Sequence, residues 1–132
     1  NRMIRYADIV LVAAEAAIMA GDNEKARTYI NMVRTRARHC GVSGNTCPAD
    51  YTAGTTITMD MLVHERRLEL AMEGHRFFDL VRWNLATKYL DGQYLENQKV
   101  TVSFSSPKND FYPIPQAEVN TSQDNLLQYP GW

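Results

Sequence analysis

The chain is 132 residues long, 45% hydrophobic and 22% charged, which excludes a disordered segment and fits one ordinary domain. Scaling surface with mass gives about 7,000 Å² folded against about 22,000 Å² unfolded, so roughly two-thirds of the surface can be buried. Lys and Arg number 14 against 15 Asp and Glu, without the basic excess of a sequence-independent nucleic-acid binder, and the longest uncharged apolar run, Ile9 to Ala14, falls far short of the ~20 residues of a membrane helix.

Arg2 to Ala20 reads as a helix, because Ile4, Ala7, Val10, Leu11, Ala14 and Ile18 recur at three and four residues before Gly21-Asp22. Asp22 or Asn23 can cap a second helix from Glu24 to about Arg38, with Ala26, Ile30 and Val33 on one face and Arg34, Arg36 and Arg38 at the negative end of its dipole. Together they make a helical hairpin over 1–39. Val10, Ala13, Ala14 and Ala17, followed by Ala26, Ile30 and Val33, fit the small-residue register of a tetratricopeptide unit, without that repeat's aromatics and closing Pro. Any tightly packed antiparallel pair would read the same way.

Residues 40–57 carry three glycines and no helical period, so they read as a loop long enough to suggest function or contact. Cys40 and Cys47 lie in it; a local disulfide and two free thiols both stay open, while His39, Cys40 and Cys47 lack the paired spacing of a zinc finger. Thr58 then reads as an N-cap, with Asp60 in the first turn, for a helix from Met59 to about Glu73 that Gly74 interrupts. A further helix covers Phe77 to Tyr89, completing 58–91. Within 92–132, Val100, Val102 and Phe104 alternate with polar residues as a short half-buried strand. Pro107 and Lys108-Asn109-Asp110 make a turn, Phe111 to Pro115 must be extended, and Pro115 can open a short helix through Val119. The fold class is mainly α: a tetratricopeptide-like hairpin, further helices, a short strand or hairpin and an irregular Pro-rich tail.

The densest chemistry runs from His64 to Trp83. Glu65, Glu69 and Glu73 form one helical stripe, flanked by Met61, Leu68 and Met72 on one side and Leu62 on the other. Three like charges at successive i,i+4 positions repel unless cations interleave, and Arg34, Arg36, Arg66, Arg67, Arg76 and Arg82 can supply them, with Asp79 nearby and Glu15 needing similar compensation among its alanines. These residues are expected to form a structural ion-pair network. A glycosidase would need two carboxyls facing a cleft, yet acids among arginines have depressed rather than raised pKa values. His64-Glu65 begins like a zincin, but Leu68 stands where the second His belongs. Ser43 misses the nucleophile-elbow spacing by one residue. No catalytic or metal site is assigned. Phe77, Phe78 and Trp83 read as core, leaving Tyr51 and Trp132 as the aromatics to test for ligand contact.

Several segments, in order, carry a resemblance. They are Arg5-Tyr6-Ala7-Asp8-Ile9 with Ala14-Glu15-Ala16; Ala26 with Ile30-Asn31 and Val33-Arg34, Arg36-Ala37; Glu65-Arg66-Arg67, Glu69-Leu70-Ala71, Glu73-Gly74-His75-Arg76, Asp79-Leu80 and Arg82-Trp83; Pro113-Ile114-Pro115 with Glu118; and Gln128-Tyr129-Pro130-Gly131-Trp132. So arranged, the chain resembles the C-terminal region of the SusD/RagB family over essentially its whole length. It departs from the family pattern at Asn120-Thr121 and at Gln128-Tyr129, where only turn geometry is affected.

The resemblance implies tetratricopeptide-like helix pairs in a nutrient-binding lipoprotein on the cell-surface side of a Gram-negative outer membrane. Such a protein has no catalytic activity and no cofactor. It captures a glycan, or in some members a peptide, for a SusC-like TonB-dependent transporter, and touches the membrane only through an N-terminal lipid anchor. Neither Cys40 nor Cys47 inherits the lipid-bearing role. A start at Asn1, beside a helix already under way and without initiator Met or signal peptide, fits one segment of a longer protein. The alternatives are a tetratricopeptide-like adaptor that recognises another protein and, third, a glycoside hydrolase.

Overall fold

Small side chains bring the first two helices together. Helix α1 (Tyr6–Met19) buries Ala7, Val10, Leu11, Ala14 and Ala17 against Ala26, Ile30 and Val33 of α2 (Asn23–His39); Leu11, Ala14, Ala26 and Ile30 are fully excluded from solvent. The computed structural model describes residues 4–40, 43–123 and 125–132, which fall into two compact units, Asn1–Arg76 and Phe77–Trp132.

A Schellman turn ends α1. Gly21 is left-handed at φ +75°, its N–H donates to the Ile18 carbonyl at 3.0 Å, and the Asp22 N–H donates to the Ala17 carbonyl at 2.9 Å. Asp22 then caps α2, its Oδ1 accepting the Lys25 N–H at 3.1 Å. Space around Gly21 is open, so Gly21→Ala meets only backbone strain. We expect it to cost about 1 kcal/mol, read as a lower urea midpoint.

Helix α3 (Met59–Glu69) packs on both members of the hairpin. Thr58 caps it as the sequence predicts: its Oγ1 accepts the Met61 N–H at 3.3 Å, and its own N–H points back to Met61 Sδ at 3.5 Å. Leu62, Val63, Leu70 and Ile57 complete this unit's core. The helix ends at Glu69, four residues before the expected Glu73. The chain turns there through left-handed Met72 and Gly74, at φ +65° and +81°, and the Glu73 N–H closes a tighter bond to Leu70 at 3.2 Å. Met72 and Leu68 are exposed, so the apolar flank expected beside the carboxylates is mostly on the Leu62 side.

The single helix expected over 77–89 is two: α4 (His75–Arg82), whose residues from Phe77 onward open the second unit, and α5 (Ala86–Leu90). Asn84 breaks it. Left-handed at φ +57°, it donates its N–H to Val81 at 2.9 Å while Leu85 donates to Leu80 at 2.8 Å, the same Schellman pattern with Asn in glycine's place. Leu80, Ala86 and Phe104 form the core here, surrounded by Phe77, Val81, Leu85, Tyr89, Leu90 and Val102. Phe77 meets Phe104 edge-on at 6.3 Å. Trp83 is half-buried beside the Arg82 guanidinium, 4.4 Å away, whereas Phe78, also expected in the core, is 70% exposed.

The expected half-buried strand shrinks to an antiparallel hairpin of two-residue strands, β1 (Tyr94–Leu95) and β2 (Val100–Thr101), exposed throughout. Alternation in the sequence is satisfied differently, since Phe104 enters the core with its N–H held by Asp91 Oδ1 at 2.8 Å. A 3-10 turn (Lys108–Asp110) and α6 (Gln116–Thr121) follow. The tail is fastened side chain to backbone: Gln128 accepts the Ile114 N–H at 2.9 Å and donates to its carbonyl at 2.8 Å.

Candidate functional site

The carboxylate stripe of α3 faces arginines of α1 and α2. Glu65 pairs with Arg34, both side chains being largely buried. Glu69 receives Arg36 at 2.7 Å and Arg5 at 2.8 Å. Arg5, at the start of α1, goes further: it donates to the Glu69 main-chain carbonyl at 2.7 Å and to Glu73 Oε2 at 2.8 Å. One guanidinium thus caps the C-terminus of α3 and binds two carboxylates at the point where the helix stops. Arg66 Nη1 sits 2.9 Å from Asp8 Oδ1, a close charge pair without hydrogen-bond alignment.

Arg5 and Asp8 were not among the expected network members. Their signal was an i,i+3 charge pair beside the most apolar helix in the chain. Of the expected ones, Arg76 donates to the Val63 carbonyl at 3.4 Å, and Asp79, buried in α4, accepts from Arg82 Nε at 3.0 Å. Arg67 faces solvent and Glu15 is half-buried.

The hydrogen bonds Arg5 donates to Glu73 first, then to Glu69, raise its pKa. Arg5 in turn holds the Glu73 carboxyl below its ordinary 4.5, and Arg38 holds Asp50 below 3.8. A depressed carboxyl contributes stability that is present above its unfolded value and lost as pH falls through the folded one. The melting temperature should therefore be flat down to about pH 5 and fall below about pH 4, with Glu73→Gln making the decline shallower in a pH series of thermal melts.

The loop over 40–57 does not hang free: its described residues from Pro48 onward are strapped along α2. Asn31 brackets Tyr51, donating to its carbonyl at 3.0 Å and accepting its N–H at 2.9 Å. Two helical turns earlier Asn23 does the same, donating to the Thr55 carbonyl at 2.9 Å and accepting the Ile57 N–H at 2.7 Å. Arg34 Nε takes the Ala49 carbonyl at 2.7 Å, and Thr35 and Arg38 hold Asp50. A polar stripe on one helix thereby satisfies the backbone of a segment that has no regular structure of its own.

Tyr51 is half-buried, with the Arg34 guanidinium 4.3 Å from its ring centre. Trp132 donates its indole N–H to the Lys108 carbonyl at 2.7 Å, with Lys108 Nζ 4.5 Å from the ring, and remains 47% exposed. Phe111 and Tyr129 pack nearby at 4.7 Å. A cavity of 450 Å³ opens between α1 and α2, lined by apolar Ile4, Val10 and Met32 with Arg5 and Arg36 at its edge; both arginines are committed to Glu69. Cys40 and Cys47 are exposed free thiols. Among the described residues no three His, Cys, Asp or Glu side chains converge to hold a metal, and no helix is long and apolar enough to cross a membrane.

Residues 1–132 match the model of the SusD family. SusD-like protein P2 of Formosa agariphila is 32% identical over 98% of this chain and 25% of its own length, and a SusD-like protein of Bacteroides ovatus is 24% identical over 97% of this chain and 26% of its own. Among solved structures, surface glycan-binding protein A from Bacteroides thetaiotaomicron superposes with a TM-score of 0.76 at 29% identity, over 98% of this chain and 24% of that one. A SusD-like protein from Bacteroides fragilis gives 0.75 at 27% identity, with 98% and 25% covered. The chain therefore spans about a quarter of the length of these relatives.

Proposed function

Because this chain belongs to the SusD family, we propose that it is the C-terminal scaffold of a cell-surface protein that captures oligosaccharide and passes it to a SusC-like TonB-dependent transporter, without cleaving it. The observation that carries this reading is the likeness, along nearly the whole chain, to a solved surface glycan-binding protein. Placement on the outer face of the outer membrane, through a lipid anchor upstream of these residues, belongs to the same proposal. The role of this segment is mechanical: the arginine–carboxylate lattice and the strapped loop hold a frame on which ligand-contacting segments sit. Tyr51 and Trp132 are the aromatics here to test for sugar stacking.

The test is a glycan array beside a turnover assay on the full-length protein. Retained binding without hydrolysis supports the reading; hydrolysis, or binding only to protein partners, overturns it. Within the same protein, Glu69→Ala should lower the melting temperature, because Arg5 and Arg36 lose a shared partner, and should leave glycan affinity of the folded fraction unchanged in calorimetry. An unchanged melting temperature would remove the mechanical role assigned to the lattice.

A further inference from the structure

The strap begins at a clamp. Arg38, in the last turn of α2, donates through Nη1 to the Pro48 carbonyl and grips Asp50 through Nη1 and Nη2 at 2.9 and 3.0 Å. Cys40 caps that same helix two residues later, and Cys47 is the residue joined to Pro48. The two cysteines therefore adjoin the clamped positions along the chain, Cys40 two residues after Arg38 and Cys47 one before Pro48, and both are exposed and free. On the strap side the Cys47 N–H is held by Asn45 Oδ1 at 3.0 Å. A disulfide needs α-carbons about 4.4–6.8 Å apart; six residues separate the cysteines, and Arg38 ties the chain just beyond them, at Pro48, back to the end of α2.

We propose that Cys40 and Cys47 are a redox couple, closed by thiol–disulfide exchange into an intramolecular bond that bolts the start of the strap to the end of α2. The oxidant is a disulfide, either small, such as oxidised glutathione, or the active-site disulfide of an oxidoreductase. One cysteine thiolate attacks a donor sulfur, forming a mixed disulfide and releasing the first donor thiol. The second cysteine attacks the sulfur of its partner and releases the other. Two electrons pass to the donor, the two cysteine protons end on the two donor thiols, and one S–S bond replaces another. In the reduced state the strap relies on Arg38 and Asp50; in the oxidised state it is covalently fixed.

The experiment uses the full-length protein, reduced and then equilibrated with oxidised glutathione. We expect intact mass to fall by two hydrogens, peptide mapping to recover Cys40 joined to Cys47, and Cys40→Ser to stop at a single glutathione adduct on Cys47. Asp50→Asn, which weakens the clamp without touching either thiol, should lower the melting temperature of the reduced protein and lower it much less after oxidation. Two stable glutathione adducts, a disulfide-linked dimer or thiols that stay free under excess oxidant would each overturn the proposal, as would an equal loss in Asp50→Asn whether reduced or oxidised.

Discussion

Replacing Arg34 with Met should cost about 3–5 kcal/mol of folding free energy, the range for stranding one partner of a buried ion pair. Glu65 keeps only 6% of its side chain accessible and Arg34 14%, so water cannot resolvate the carboxylate cheaply. The same substitution also removes the donor to the Ala49 carbonyl and the cation over Tyr51. Replacing both members, Arg34→Leu with Glu65→Leu, should recover most of the loss, because no charge is left behind, and leave a residual of about 1 kcal/mol from the unpaired carbonyl. Urea unfolding followed by circular dichroism decides it. A double variant as unstable as the single one would show that the stranded carboxylate is not the cause.

The second large effect is a cavity. Leu11 is fully buried where α1 and α2 meet through alanines, and backbones already in close approach have little room to collapse into a void. Leu11→Ala should therefore cost about 3 kcal/mol or more, against less than about 1.5 kcal/mol for the volume-conserving Leu11→Met. Similar losses in the two variants, measured as shifts in urea midpoint at unchanged slope, would mean that the hairpin repacks and that its small-residue contact is not rigid.

The hairpin was legible because its burial follows the 3.6-residue period, and the Gly21-Asp22 stop and the Thr58 cap were legible because each depends on residues within one turn. Where the outcome depended on partners far along the chain, the sequence was less informative. Nothing local shows that Arg5 reaches Glu69 and Glu73 across more than sixty positions, and the helical period alone runs four residues past the end of α3. Asn84 looked like an ordinary helical residue until its left-handed backbone cut the helix in two. The strap reads from sequence as a loop long enough for function or contact, but loop composition does not reveal the partner. Its signal lay on α2 instead, where Asn23, Asn31, Arg34 and Arg38 make a polar stripe too regular for a face that only meets water.

Those asparagine brackets grip peptide groups and ignore side chains. The path of the strap is thereby uncoupled from its composition. Exposed positions such as Ala53 and Thr56 can drift in size, polarity or charge while the main chain beneath them keeps its course, so this stretch can acquire new surface chemistry without first solving a folding problem.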